Sequence, residues 1–282
     1  MIRVKEPNLL DYEKISVLNF TIVAREANGN NPKESRANVQ VHVRDVNDNA
    51  PDFSTSTYEA YVPENVEPGA TIAWIRAEDE DSGILGTQGI RYPFAYFDGI
   101  LTENQFTNFY GLFRRYMAMN GPIAKYLELD KKTGVISLGN YSVFDREKLD
   151  FHFLTVEARD DLGRGNRNTV ELLIKVTDVN DNAPKFDQDY YTANLKENSV
   201  QFNEPFVVSA HDNDENETEN AVIRFRIVRG NTNGNFSIDE VTGEITPSGI
   251  IDYENVVPDN DGNRVFNLTI RAFDLGTPPL YR

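Results

Sequence analysis

The sequence contains no cysteine, a single tryptophan, three methionines and three histidines in 282 residues. Without cysteine the chain can form no disulfide, no thiolate zinc site and no haem–cysteine attachment. Long apolar runs are missing as well. No stretch approaches the ~20 apolar residues that span a bilayer, and the opening segment MIRVKEPNLLDYE has no signal-like apolar core. Basic residues are outnumbered, 28 against 45 acidic, which leaves a formal net charge of −17. That balance argues against nucleic acid and an anionic membrane surface as partners, and for cations, of which metal ions are the smallest. The nucleophile elbow, the phosphate loop and the HExxH zinc motif are all absent, so no motif supports an enzyme. Both ends of the chain read as cuts within a longer protein.

What the sequence does contain is written more than once. The heptad DVNDNAP occupies Asp45–Pro51 and, letter for letter, Asp178–Pro184. An acid pair, D-x-E, recurs in LLDYEK (Asp11, Glu13), VFDREK (Asp145, Glu147) and IIDYEN (Asp252, Glu254). Each pair precedes a run that alternates apolar and polar residues: LNFTIVARE, FHFLTVEARD and FNLTIRAFD. Period-two alternation predicts half-buried β-strands. Each run ends in an acid: Glu26, Asp160 and Asp274. The spacing is kept too. Asp79 follows Asp45 by 34 residues, and Asp212 follows Asp178 by 34. Asp11 to Glu26 and Asp145 to Asp160 are both 15 residues, while Asp252 to Asp274 stretches to 22 across the polar loop NVVPDNDGN.

The repeat is thus about 110 residues long, and short alternating strands separated by turn signals point to an all-β sandwich. The expected division is the C-terminal part of one repeat at 1–49, a complete repeat at 50–182, and a third repeat lacking its last strand at 183–282. Pro51 and Pro184 are expected to end the strands that precede the heptads.

The acids fall at matched places: Glu64 in PEN and Glu197 in KEN, the D-x-E pairs, the heptads, and the D-x-D pairs Asp79/Asp81 and Asp212/Asp214. So many carboxylates brought together without cations would repel by several kcal/mol in total, to order of magnitude. Calcium, which takes six to eight oxygen ligands, removes that penalty. An EF-hand does not account for the pattern: DNDENETENAVI has Glu217 where the loop needs glycine and Ile223 where it needs glutamate. Zinc is not favoured, because His42, His152 and His211 are scattered and read as packing or surface residues. A metal-dependent enzyme remains the alternative of another class.

D-x-N-D-N-A-P, P-E-N, D-R-E/D-Y-E and A-x-D-x-D at these intervals resemble the extracellular repeats of the cadherin superfamily, over essentially the whole chain apart from one insertion. The resemblance implies tandem seven-stranded Greek-key β-sandwich repeats joined by calcium-binding linkers, with about three calcium ions at each complete junction. Carried onto this chain, it makes one junction complete: Glu64, Asp145 and Glu147; Asp178, Asn180, Asp181 and the carbonyls of Val179 and Asn182; and Asp212, Asp214, Asp274 and the main chain of Asn220. An earlier junction is partial, with Asp11, Glu13, Asp45, Asn47, Asp48, Asp79, Asp81 and Asp160. There Gln88 stands where the family often has asparagine. Glu197, Asp252 and Glu254 match one half of a later junction. The implied function is calcium-dependent, homophilic cell–cell adhesion by the extracellular part of a plasma-membrane glycoprotein. Its partners would be calcium and the same or another cadherin, in trans or in cis, with no membrane-spanning segment in this fragment. The alternative is a receptor or mechanical-tether cadherin that binds a different protein.

The sequence departs from the repeat in one place. From Asp79 to Asp145 is 66 residues, against 40 from Asp212 to Asp252, which places an insertion near 93–122. Thr102 and Gln105 form a capping-box pattern, and Phe106, Phe109, Tyr110, Phe113, Tyr116 and Met117 recur at helical spacing before Gly121-Pro122. Three readings stand for it: an aromatic helix packed on the sandwich, a partner-binding projection, or sequence that does not belong to the translated repeat. Five N-x-S/T motifs, at Asn19, Asn140, Asn216, Asn235 and Asn267, suit a secreted surface. Asn19 and Asn267 are expected on outward-facing strand positions, and Trp74 is expected to pack.

Overall fold

The computed structural model describes residues 2–6, 10–27, 32–90, 119–141 and 143–282. The chain divides into two compact units. One comprises residues 1–62, 66–144 and 151–176; the other comprises 63–65, 145–150 and 177–282. Among the described residues the elements are β-strands and single 3-10 turns.

The first unit opens with a hairpin, β1 (Val17–Arg25) and β2 (Glu34–His42), in register from Val17 opposite His42 to Arg25 opposite Glu34. Its period-two pattern forms strands as expected, but both faces are exposed; Phe20 and Val23 keep 37% and 46% of their surface. Alternation prepares a strand for burial, and burial itself needs a second layer.

The rest of this unit is a sandwich. Strands β3 (Asp52–Phe53), β4 (Thr57–Pro63), β5 (Thr71–Trp74) and β6 (Ala77–Glu78) come first. Strands β7 (Met119–Asn120), β8 (Leu127–Leu129), β9 (Val135–Leu138), β10 (Phe151–Arg159) and β11 (Arg167–Thr177) follow. One sheet has the order β4-β11-β10-β7, another β5-β9-β8, and β3 pairs with β6. Leu154, Val156 and Ala158 of β10 and Val170, Leu172, Ile174 and Val176 of β11 point inward at period two. They join Ile72, Leu127, Leu129, Ile136 and Leu138 of the second sheet in one apolar core. Each fully buried aliphatic side chain contributes about 1.5–3 kcal/mol.

The second unit repeats the plan with shorter strands: β12 (Lys185–Phe186), β13 (Phe206–Val207), β14 (Ala210–His211), β15 (Arg224–Arg229), β16 (Phe236–Ile238), β17 (Glu244–Pro247) and β18 (Thr269–Phe273). They pair as β12-β14, β13-β17-β16 and β15-β18. Val208, Phe225, Phe236, Ile245 and Ala272 form its buried core.

Two small devices recur in both units. Asp130 Oδ1 accepts the N–H groups of Lys132 and Thr133, and Asp239 Oδ1 those of Val241 and Thr242. The turns then close on Gly134 and Gly243, whose φ angles of 71° and 73° are the left-handed values glycine adopts without strain. The Tyr58 hydroxyl donates to the Arg76 carbonyl at 2.9 Å, and the Tyr191 hydroxyl to the Ser209 carbonyl at 2.8 Å.

Several expectations change. The strands before the heptads end at His42 and Thr177, well before Pro51 and Pro184. The prolines instead lead into β3 and β12, because the heptad main chain turns its N–H groups to carboxylates rather than to a ladder. Trp74 does not pack: it is 63% exposed, and its indole N–H donates to the Thr133 carbonyl at 2.7 Å. Asn19 is an exposed position in β1, whereas Asn267 is exposed but precedes β18. Of the predicted insertion helix, the positions Thr102 to Met117 lie outside the described residues.

Candidate metal site

The acids collect at three places, each lying within a single unit. In the first unit, residues of the heptad, the D-x-E loop, the D-x-D loop and the end of β10 converge. Oxygens of Glu13, Asp48 and Asp81 lie within 4.8 Å of one another, as do oxygens of Asp79, Asp81 and Asp160. The cluster is held open by short, specific bonds. The main-chain N–H and hydroxyl of Ser82 donate to Asp45 Oδ2 at 2.7 and 2.6 Å. The side-chain amide of Asn49 donates to Asp81 Oδ1 at 2.6 Å, and the Asp81 N–H donates to Asp79 Oδ1 at 3.0 Å. The Asn166 amide donates to Asn47 Oδ1 and to the Asn49 carbonyl. Asp11 stands apart, ion-paired to Lys14.

In the second unit the arrangement is rebuilt from the second copy of each motif. Oxygens of Glu64, Glu147 and Asp178 form one group and those of Glu147, Asp181 and Asp214 another. Glu64, buried at 4% exposure, accepts the Arg146 N–H on Oε2 and the Val179 N–H on Oε1, both at 2.9 Å. Asn182 donates its side-chain amide to Asp214 Oδ1 at 2.8 Å, and the Asp214 N–H donates to Asp212 Oδ1 at 3.1 Å. Asp274 is fully buried; it accepts the N–H groups of Gly276 and Leu280 and the Asn180 amide. Asn220 donates to Asp178 Oδ2 at 2.8 Å. It is the middle residue of a 3-10 turn at Glu219–Ala221, as Gln88 is of the turn at Thr87–Gly89. Asp145 lies to the side with Lys148.

The third place is exposed: Glu197, Asp252 and Glu254 bring oxygens within 4.8 Å, and Asp252 Oδ1 accepts the Glu254 N–H at 3.0 Å.

The electrostatics of the first two clusters call for a cation. Both carboxylate oxygens of Asp160, and Oδ2 of Asp79, Asp212 and Asp214, are buried without a hydrogen-bond partner. A buried carboxylate oxygen left unpaired is costly. Burial, reinforced by neighbouring carboxylates, raises the pKa of Asp79, Asp160, Asp181 and Asp212 above the ordinary range. It pushes that of Asp214 to about 6. A donor set made only of hard oxygens, from carboxylates and main-chain and amide carbonyls, fits a calcium-type cation. The packing leaves little slack: a Cβ on Gly165 would collide with Asp160 Oδ1, and one on Gly276 with Asn180 Nδ2.

Some participants escape a sequence reading. Asn49 orders Asp81 as Asn182 orders Asp214, and the identity of the two heptads is the signal that finds it. Ser82, Asn166 and Arg146 carry no such signal; Arg146 reads as a spacer within D-R-E.

A cadherin-domain family model matches residues 191–282. The chain is 35% identical to Cadherin-86C of Drosophila melanogaster over 99% of its own length, and 31% identical to mouse Cadherin-related family member 2 over 98%. It spans only 14% and 19% of those relatives. Among solved structures, mouse Cadherin-23 EC22-24 superposes with a TM-score of 0.66 at 28% identity, covering 96% of this chain and 74% of that one. Protocadherin Gamma B2 extracellular domains 3-6 give 0.68 at 28% identity, covering 97% and 60%. A strand-built chain whose duplicated acidic motifs close into matching clusters, and which aligns along nearly its whole length with cadherins, belongs to the cadherin superfamily.

Proposed function

We propose that the chain is an ectodomain segment of a plasma-membrane adhesion protein, and that calcium stiffens it at the two heptads. The observation that carries this reading is the set of buried, unpartnered carboxylate oxygens around Asp79, Asp160, Asp212 and Asp214. With the chain divided at 1–49, 50–182 and 183–282, each cluster draws acids from both sides of a heptad. Glu64, Glu147, Asp178, Asp181, Asp212 and Asp214 would hold calcium in one place; Glu13, Asp45, Asp48, Asp79, Asp81 and Asp160 would hold it in the other. The ion supplies charge neutralisation to carboxylates that the loops bring together. Glu197, Asp252 and Glu254 form half of a further site. The role follows from stiffness: a segment stiffened by calcium would present or space an adhesive surface to a second cadherin.

Calorimetric titration of residues 53–282 with calcium tests this, beside Asp181→Ala. Saturable binding of about three ions, weakened by the substitution, is expected. The linkers at 45–51 and 178–184 should gain protease resistance with calcium, the first more than the second; equal cleavage of both with calcium and with chelator would sink the reading.

A second reading is a receptor that engages a different protein. It draws on the 34% identity, over 86% of this chain and 6% of the relative, to mouse Cadherin EGF LAG seven-pass G-type receptor 3. Bead-aggregation assays, with the chain on all beads or mixed with beads bearing other surface proteins, separate the two.

A further inference from the structure

The two clusters are built from copies of the same motifs, yet one contains a cation of its own. In the second unit the Arg146 guanidinium sits among the acids with its side chain 16% exposed. Its Nε donates to Asp178 Oδ1 at 2.7 Å, and its Nη2 donates to Glu147 Oε1 at 2.6 Å and to the Asn213 carbonyl at 3.0 Å. The same position in the first unit is Tyr12, between Asp11 and Glu13. Among the described residues no lysine or arginine is ion-paired to Glu13, Asp45, Asp48, Asp79, Asp81 or Asp160. Asp45 is held instead by the neutral Ser82, whose counterpart in the second heptad's neighbourhood is Glu215.

We propose that Arg146 is a resident counter-cation that keeps the second cluster assembled when no metal is bound, and that the first cluster, with Tyr12 in its place, has no such support. Two carboxylates that need neutralising, Glu147 and Asp178, are bridged by one planar guanidinium. Arginine suits this role because its charge is permanent and its donors are fixed in direction. The same main-chain segment is bound again from the other side, since Glu64 ties the Arg146 N–H to the Val179 N–H. The clusters therefore differ in how much they depend on metal. The first opens when calcium is withdrawn; the second relaxes little, and calcium entering it must take oxygens of Glu147 and Asp178 from the guanidinium. Only that last step rests on the calcium reading. The support by Arg146 acts in metal-free protein and is tested there.

The test is hydrogen–deuterium exchange of the metal-free chain, read on peptides covering 45–51 and 178–184. The second heptad is expected to exchange at least about tenfold more slowly than the first, which is ~1.4 kcal/mol of local stability. Arg146→Gln should remove that difference, and Tyr12→Arg should slow exchange at the first heptad. Unchanged protection in Arg146→Gln, or no protection from Tyr12→Arg, overturns the proposal. Circular dichroism and exchange at β10 and β11 serve as the fold control. If Arg146→Gln loosens those strands as much as the heptad, Arg146 is a general packing residue and the proposal also fails.

Discussion

Asn182 grips Asp214 twice, with its main-chain N–H at 3.2 Å and its side-chain amide at 2.8 Å, both on Oδ1. That leaves Oδ2 buried and bare. Asn49 makes the corresponding pair of bonds to Asp81. In Asp214 one oxygen positions the carboxylate and the other is kept for something positive, whereas the Asn49 N–H reaches both oxygens of Asp81 at 3.4 Å.

Replacing Asp214 by Asn should therefore separate two effects. Without metal the variant loses a buried charge beside Asp212 and becomes more stable. On the proposed calcium reading it also loses a ligand, and affinity should fall at least about tenfold, or ~1.4 kcal/mol. Thermal melts with and without calcium check this; a variant less stable than the native chain in metal-free buffer would contradict the assignment.

The pKa of Asp214 sets a pH dependence whose sign is unusual for a carboxylate. Raised from 3.8 to about 6 by burial and by Asp212 and Asp178, it binds its proton more tightly in the folded chain. Its contribution to stability is fully present below pH 3.8 and is lost as pH rises through about 6. Metal-free protein should thus weaken by on the order of 2–3 kcal/mol across that window. Asp239, whose pKa is lowered by the Thr242 and Val241 N–H groups, acts oppositely: its contribution is present above its ordinary pKa and is lost as pH falls from there through the lowered one. Urea midpoints at several pH values, compared with those of Asp214→Asn, isolate the Asp214 slope. Equal slopes in both proteins would count against it.

Gly243 sits at φ 73°, and a Cβ there would collide with the Val208 carbonyl oxygen. Gly243→Ala should cost about 1–3 kcal/mol in the second unit, through strain in a left-handed turn. Gly262 is also at positive φ, but nothing lies within 4 Å of the place a Cβ would take. Its replacement by alanine should cost about 1–2 kcal/mol, from the left-handed backbone alone. Chemical denaturation followed by the 225–273 aromatic signals, for both variants, measures the difference.

In β11 the alternation makes a sharper prediction. Leu172→Ala empties a fully buried core position and should cost about 2–5 kcal/mol, as such cavities do elsewhere. Leu173→Ala, on the outer face and only half-buried, should cost far less. If the two midpoints moved together, the inward register of β11 would be wrong.

Much of the site was legible along the chain. The two heptads, the D-x-E and D-x-D pairs and the equal intervals between them named most of the acids that the fold brings together, Asp11 and Asp145 excepted, because a motif repeated at equal distances folds into a repeated arrangement. The alternating runs likewise named β1, β10 and the region of β18, since period two is a property of the strand itself. Other features belong to the tertiary structure alone. Whether β1 is buried depends on what lies over it, and Trp74 is exposed although its strand pattern is apolar. The heptad prolines open strands rather than close them, because the preceding main chain is drawn away to Glu64, Asp81 and Asp214. Most of all, nothing in the letters D-R-E against D-Y-E says that Arg146 reaches Asp178. That contact joins residues 32 positions apart, and only the close approach of two loops gives one positive charge its choice of partners.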